Sequence, residues 1–111
     1  MKYGEIYEVN FNPTTGQEIA KTRPAIIVNS DSVGKLALKI VVPITDPGSK
    51  FQDWHIPLTP TKFNGLKKES VADCFQVKSL SKERFVKKIG KLTPLEMDEI
   101  KIALMKVLNL I

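Results

Sequence analysis

The chain is poor in the residues that enzymes commonly use for metal binding and nucleophilic catalysis. Its 111 residues include one cysteine, Cys74, and one histidine, His55. One thiol cannot form an internal disulfide bond or make a metal site, and a single histidine excludes histidine-rich clusters and acid–base catalysis by two histidines. The sequence therefore predicts a protein that needs no metal and no cofactor.

Long apolar runs and glycine-rich phosphate loops are also missing. No run reaches the roughly eighteen apolar residues of a membrane span. The N-terminal segment MKYGEIYEVNF carries charges where a signal peptide needs its apolar stretch. Neither GxGxxG nor GxxxxGK occurs, so no nucleotide-phosphate loop of those types is expected. We expect a cytoplasmic protein without a membrane partner, with residues 1–111 forming one domain large enough to bury its own core.

Positive charge is abundant, but most of it comes from lysine. The formal net charge is +5, and Arg23 and Arg84 are the only arginines. A basic balance favours a polyanionic partner, although a lysine-rich surface also serves solubility. Arg23 ends a polar loop and precedes Pro24, where an apolar strand begins. Its planar guanidinium suits a phosphate or carboxylate, and the alternative is a surface pair with Glu18 that contributes little energy.

Apolar periodicity predicts several short strands followed by one helix. The predicted strands cover residues 3–11, 23–30, 36–45, 54–58 and 70–80, with a short last strand over 84–92. Thr93, Pro94 and Glu96 mark a helix start as N-cap, first helical residue and capping-box acid. This order predicts a mainly β, α+β fold, either a small barrel or a strongly bent sheet with a C-terminal α-helix, and it argues against a Rossmann-type fold.

Four stretches, taken in order, resemble the MazF/PemK family of type II toxin–antitoxin toxins. They are GEIYEVNFNPTTGQEIAKTRPAIIV, VVPIT, SVADCFQVKSLSKERF and IGKLTPLEMDEIKIAL, and together they span nearly the whole chain. The resemblance implies a small SH3-like β-barrel with a C-terminal helix, usually a homodimer. It implies metal-independent, sequence-specific cleavage of single-stranded RNA to 2′,3′-cyclic phosphate and 5′-hydroxyl ends. It also implies a cognate antitoxin that blocks the RNA groove.

The resemblance assigns catalytic roles to three residues. Arg23 matches the family's catalytic arginine and would stabilise the phosphorane, with proton donation as a second role that suits a weakly acidic guanidinium poorly. Thr45 matches the catalytic threonine or serine position and would hold a phosphate oxygen. Glu18 matches an acid of the first loop, the segment NPTTGQEIAKT. In some members this acid is the proposed general base.

Five further residues are expected to bind the RNA. Lys21 would contact a phosphate, and Gln76 and Lys78 match positions near the RNA path. Many members have an acid immediately before that glutamine, whereas this chain has Phe75 there and its acid two residues earlier, at Asp73. On a continuous strand those two positions share a face, so Asp73 could serve the same pocket while Phe75 stacks a base.

Two other functions remain open at this point. Small SH3-like domains also bind nucleic acids or proteins without chemistry, as gyrase-poison toxins do, and a toxin-like domain can lose its activity. Arg23, Thr45 and Glu18 favour the enzyme. For the partner, a +5 charge predicts an antitoxin whose toxin-binding segment is acidic. The apolar stripe of the helix predicts a homodimer.

Overall fold

Seven strands and one helix make up the fold in a computed structural model that describes residues 1–111. Their bounds are β1 Glu5–Asn10, β2 Thr22–Ile27, β3 Leu38–Thr45, β4 His55–Leu58, β5 Ser70–Asp73, β6 Lys78–Ser81, β7 Phe85–Lys91 and α1 Pro94–Val107. The predicted helix start is confirmed, because Thr93 and Glu96 exchange both hydrogen bonds of a capping box. The helix is too short and too polar to cross a membrane.

The strands form one antiparallel sheet in the order β4-β5-β3-β2-β1-β7, and β6 also pairs with β3. No pairing joins β4 to β7, so the sheet stays open where a closed barrel was one expectation. Two register shifts between β1 and β7 mark bulges, which increase local bending. The loop between β4 and β5 reaches across to β7, where Lys91 N donates to Phe63 O at 3.0 Å.

The predicted strand over residues 70–80 is wrong in its middle. The chain leaves the sheet in a short 3₁₀ turn over Cys74–Gln76, which separates β5 from β6. Both strands pair with the same edge of β3, β5 at Ile44 and Thr45 and β6 at Leu38–Val41. The break lies beside Pro43, which has no backbone N–H to donate to a neighbouring strand.

Two apolar clusters cover the opposite faces of the sheet. The larger contains Ile26 and is covered by α1 through Met97, Ile100 and Ala103, while the smaller contains Ile27. Successive side chains of a strand point to opposite faces, so a central strand covered on both sides needs a continuous apolar run. This explains the run after Pro24, and it makes β2 a rigid support for the arginine at its start.

Candidate active site

Arg23 and Thr45 line one cavity of about 230 Å³, together with residues of β1, β7 and the loop before β5. Arg23 lies at the start of β2 and Thr45 ends β3, and these strands pair with Ala25 opposite Pro43. Continuing that antiparallel register by two residues places Arg23 opposite Thr45. The cavity, called the Arg23 cavity below, also has charged lining residues that the sequence reasoning missed: Glu8, Asp46, Lys67, Lys68 and Lys87.

The strand and its preceding loop hold the arginine in place. Arg23 pairs with the fully buried Val9 of β1, and its Nε donates to Ala20 O at 3.3 Å. No carboxylate lies within ion-pair distance of its guanidinium. The alternative of a surface pair with Glu18 is therefore wrong, and the terminal Nη groups remain available to an anion.

Cations outnumber anions around the Arg23 cavity. Three lysines and Arg23 line it, against the carboxylates of Glu8 and Asp46. Lys68 Nζ lies 2.7 Å from Asp46 Oδ1, and Lys87 Nζ lies 4.0 Å from Glu8 Oε2. The hydrogen bond from Lys68 and its positive charge lower the pKa of Asp46, with a smaller contribution from Arg23. The excess positive charge suits a phosphodiester.

Two glycines let the loop before β5 form the wall that carries Lys67 and Lys68. Gly65 has φ +68°, and a Cβ there would lie 1.9 Å from Ile89 O. A Cβ at Gly90 would lie 2.3 Å from the carbonyl carbon of Asn64. Buried Asn64 holds the loop by accepting from Leu66 N at 3.0 Å and donating to a backbone carbonyl at 2.9 Å. The only signs of this arrangement in the sequence are the pair Asn64-Gly65 and the pair Lys67-Lys68.

A second, open hollow of about 400 Å³ contains most of the other predicted residues. This outer hollow is lined by Gln17, Glu18, Phe75, Gln76, Val77 and Lys78. Its polar side chains bind the backbone of the first loop: Gln76 Oε1 accepts from Ile19 N at 2.6 Å, and Glu18 Oε1 accepts from Thr15 N at 2.7 Å. Lys21 is exposed, has φ +70° and lines neither space.

Asp73 is buried beneath this surface rather than beside Phe75. Its Oδ1 accepts from Phe75 N at 3.2 Å, and its Oδ2 accepts from Gln76 Nε2 at 3.4 Å. Asp73 is 9% exposed, whereas Phe75 is 61% exposed with its ring centroid 5.3 Å from that of Trp54. The expectation that the two residues share a strand face is wrong, because the 3₁₀ turn interrupts the alternation between them.

The single cysteine and the single histidine lie outside the Arg23 cavity. Burial, and then the neighbouring Asp73 charge, raise the pKa of Cys74 to about 12, so its thiol stays neutral and unreactive. His55 Nδ1 accepts from Gln52 N at 3.1 Å, and its Nε2 lies 3.9 Å from Asp73 Oδ1. Neither side chain is therefore placed to act at the Arg23 cavity.

Comparison with known proteins places the chain in a family. The family profile described as "PemK-like, MazF-like toxin of type II toxin-antitoxin system" matches residues 2–108. The chain belongs to this toxin family. The resemblance seen in the sequence is therefore confirmed over almost the whole chain.

Relatives and solved structures agree with this placement. The chain is 30% identical to Endoribonuclease MazF9 of Mycobacterium tuberculosis over 110 residues, covering 94% of this chain and 92% of the relative. MazF of Deinococcus radiodurans superposes with a TM-score of 0.81 at 20% identity, covering 98% and 96% of the two chains. A mycobacterial endoribonuclease in complex with its cognate antitoxin superposes with a TM-score of 0.79 at 19% identity, covering 100% and 97%. The expected fold of a mainly β domain with a C-terminal helix is thus confirmed.

Proposed function

We propose that the protein is the toxin of a type II toxin–antitoxin system and cleaves single-stranded RNA, chiefly mRNA, at a short sequence without a metal ion. Endoribonuclease activity is the activity named for the curated MazF relatives. One observation carries the mechanism: Arg23, free of any carboxylate partner, shares a cationic cavity with Thr45. In the proposed reaction the 2′-hydroxyl attacks phosphorus, leaving a 2′,3′-cyclic phosphate and a 5′-hydroxyl end.

Arg23 and Thr45 have different roles at the scissile phosphate. As phosphorus becomes five-coordinate, negative charge increases on its non-bridging oxygens, and the guanidinium donors stabilise that charge. The Thr45 hydroxyl donates to one of these oxygens and fixes the orientation of the phosphate. Lys67 and Lys87 raise the local concentration of the polyanion and contribute no base recognition.

The outer hollow extends the binding surface beyond the scissile phosphate. Exposed Phe75 offers a ring face to a base, and Lys78 and Lys21 offer charge to the backbone. Gln76 and Asp73 act through the loop and turn that they hold, which positions Phe75 and the Glu18 loop. Glu18 remains the proposed base of the first loop: its Oε1 accepts from Thr15 N, and its second carboxylate oxygen is the proposed acceptor of the 2′-hydroxyl proton.

We propose three further properties. The toxin binds an antitoxin through an acidic segment, as its +5 charge favours. It forms a homodimer, because Ile102 within α1 and Leu108, Leu110 and Ile111 after its end are more than half exposed. It acts in the cytoplasm, where single-stranded mRNA is available.

The deciding experiment is cleavage of a long unstructured RNA in EDTA, with sequencing of the 5′ ends. Wild type is expected to cut at a short recurring sequence. Arg23→Ala is expected to lower the rate by about 10²–10³ or more, which is the cost of removing a transition-state charge stabiliser. Arg23→Lys keeps the positive charge but loses the planar set of guanidinium donors, and we expect it to retain only part of the wild-type rate.

Arg84→Ala is the matched control, because Arg84 donates to Asn10 O at 3.2 Å on another part of the surface. It is expected to retain most of the activity. Cleavage that survives Arg23→Ala would place the active centre elsewhere. Folded, antitoxin-free protein that binds RNA and never cuts it would favour the non-catalytic binding module.

A further inference from the structure

A third charged space lies at the other end of β3 from Thr45. This open hollow of about 770 Å³, called the lysine hollow below, is lined by Met1, Lys2, Asp31, Gly34, Lys35, Lys39 and Lys82. Lys39 lies six residues before Thr45 on β3, a distance of about 20 Å along an extended strand. No residue of the lysine hollow lines the Arg23 cavity or the outer hollow, so the proposed cleavage does not account for it.

Lys39 is nearly buried in this hollow and has no partner within the protein. The residue is 8% exposed, and no carboxylate lies within ion-pair distance of its Nζ. Every fully buried side-chain nitrogen of the protein has a hydrogen-bond partner, so the unpaired Nζ must reach the surface of the hollow. An ammonium that has lost most of its water is unfavourable without a counter-charge. An anion in the hollow would supply that counter-charge.

The rest of the lysine hollow adds positive charge and almost no negative charge. Lys2, Lys35 and Lys82 line it, and none of them forms an ion pair. The one carboxylate in the lining belongs to Asp31, whose Oδ1 accepts from Tyr3 N at 2.8 Å. Four lysine ammonium groups against one carboxylate favour a ligand that carries several negative charges in a row.

Strand register connects the lysine hollow to the outer hollow. Between β3 and β6, Lys39 lies opposite Leu80, and Val41 lies opposite Lys78. Lys39 and Lys78 are therefore diagonal neighbours on one face of the sheet, about 7–8 Å apart. Lys78 also lines the outer hollow, and Lys82 directly follows the end of β6. A row of cations thus runs from one hollow to the other.

We propose that the lysine hollow binds phosphates of the RNA segment that flanks the cleavage site, which rests on the function proposed above. RNA that leaves the outer hollow past Lys78 meets Lys39 next and then Lys82. Lysine ammonium groups neutralise phosphates as point charges and carry no base recognition, so this contact is independent of sequence. The lysine hollow has no aromatic lining on which a base could stack. Its continuity with the outer hollow favours RNA over an acidic protein segment.

The test measures affinity for two RNAs that carry a 2′-deoxy nucleotide at the cleavage site and are therefore not cut. The short RNA is limited to the recognised sequence, and the long RNA adds oligouridine flanks that span the distance from Thr45 to Lys39. The variants are Lys39→Met and Lys82→Met, each of which removes one charge and keeps an unbranched side chain. Lys106→Met, in the exposed last turn of α1 and outside all three spaces, is the matched control.

We expect wild type to bind the long RNA more tightly than the short one. Lys39→Met should weaken binding of the long RNA by about 3- to 10-fold and reduce the slope of log affinity against log salt by about 0.7, the contribution of one phosphate contact on a single strand. Lys82→Met should act in the same direction, and Lys106→Met should have no effect. Binding of the short RNA should not change, and adenosine flanks should give the same losses as uridine flanks.

Equal weakening of both RNAs by Lys39→Met would place its role in the recognised sequence or in the fold, and would overturn the proposal. Wild-type affinity of both hollow variants for the long RNA would also overturn it. Weaker binding of poly-glutamate by those variants would then assign the hollow to an acidic protein segment. If Lys39→Met does not fold, Lys82→Met carries the test, since Lys82 is exposed. Failure of the proposed function is distinct, because wild type would then leave a cleavable copy of the short RNA uncut.

Discussion

The Arg23 cavity and the outer hollow both have polar linings, but their side chains are used differently. In the outer hollow, Gln76 and Glu18 hydrogen-bond to backbone amides of the first loop. In the Arg23 cavity, no carboxylate pairs with Arg23, and the Lys68–Asp46 pair is exposed to solvent. The first arrangement stabilises a loop and a turn, whereas the second leaves charge available for a ligand.

The comparison shows how to distinguish residues that act on the substrate from residues that support the structure, when both match functional positions of a family. A side chain whose donors and acceptors are already satisfied by the protein's backbone positions its neighbours. A rigidly mounted cation without a protein partner is available to bind substrate. Accordingly, substitutions of residues that bind substrate in the Arg23 cavity should change the cleavage rate but not the free energy of unfolding. Substitutions of residues that support the Arg23 cavity or the outer hollow should change the free energy of unfolding or the order of a loop.

The largest effect is expected from Gly65→Ala, which would break the wall of the Arg23 cavity. A Cβ at this position would lie 1.9 Å from Ile89 O. With the added cost of a left-handed φ, we expect a loss of about 2–5 kcal/mol in the free energy of unfolding. Urea denaturation measures it. Gly16→Ala is the control, since Gly16 also has positive φ but open space around it, and we expect about 1–2 kcal/mol. Equal losses would contradict the close approach.

Thr45→Val should separate rate from stability within the Arg23 cavity. It keeps the shape of the side chain and removes the hydroxyl that donates to the phosphate, so we expect the cleavage rate to fall about 10²-fold. Thr45→Ser should keep most of the rate. Thr22→Val, on β2 but outside the cavity, is the matched control. Single-turnover kinetics decide, and a wild-type rate for Thr45→Val would remove the hydroxyl from the mechanism.

Phe75→Ala should reduce RNA affinity without reducing stability. The side chain is 61% exposed, so its loss should change the free energy of unfolding by less than about 0.5 kcal/mol. A stacked base contributes about 1–3 kcal/mol, and binding to a non-cleavable 2′-deoxy substrate measures the loss. Phe63→Ala is the control, because Phe63 is equally exposed outside the outer hollow. Equal affinity losses in the two variants would argue against a specific stacking role.

The smallest effect is expected from Gln76→Ala, which tests the supporting role of the outer hollow. Removing the acceptor of Ile19 N should cost about 1 kcal/mol and loosen the first loop. Hydrogen exchange over residues 12–21 should become faster, and the Michaelis constant should rise more than the turnover number falls. Weaker RNA binding with unchanged exchange would instead make Gln76 a direct contact.

Local patterns in the sequence determined several features correctly. The capping signal from Thr93 to Glu96 specified the helix start because it depends on hydrogen bonds between residues three apart. The apolar run after Pro24 specified a central strand, since burial on both faces demands it. Arg23 and Thr45 were found through family motifs, and their cross-strand register then brought them to one cavity.

Contacts between distant segments decided the rest. The sequence around Asp73 and Phe75 alternates like a strand. In the structure the Asp73 side chain accepts from Phe75 N and caps a 3₁₀ turn, which takes the chain out of the sheet beside Pro43. An alternation of apolar and polar residues carries no information about such a capping hydrogen bond. Gly65 and Gly90 permit the close backbone approach that forms the wall of the cavity, and from this wall Lys68 contacts Asp46. Such an approach depends on tertiary packing between segments more than twenty residues apart. Sequence alone therefore specified the elements and the family's arginine and threonine, and the tertiary structure decided which charges surround them.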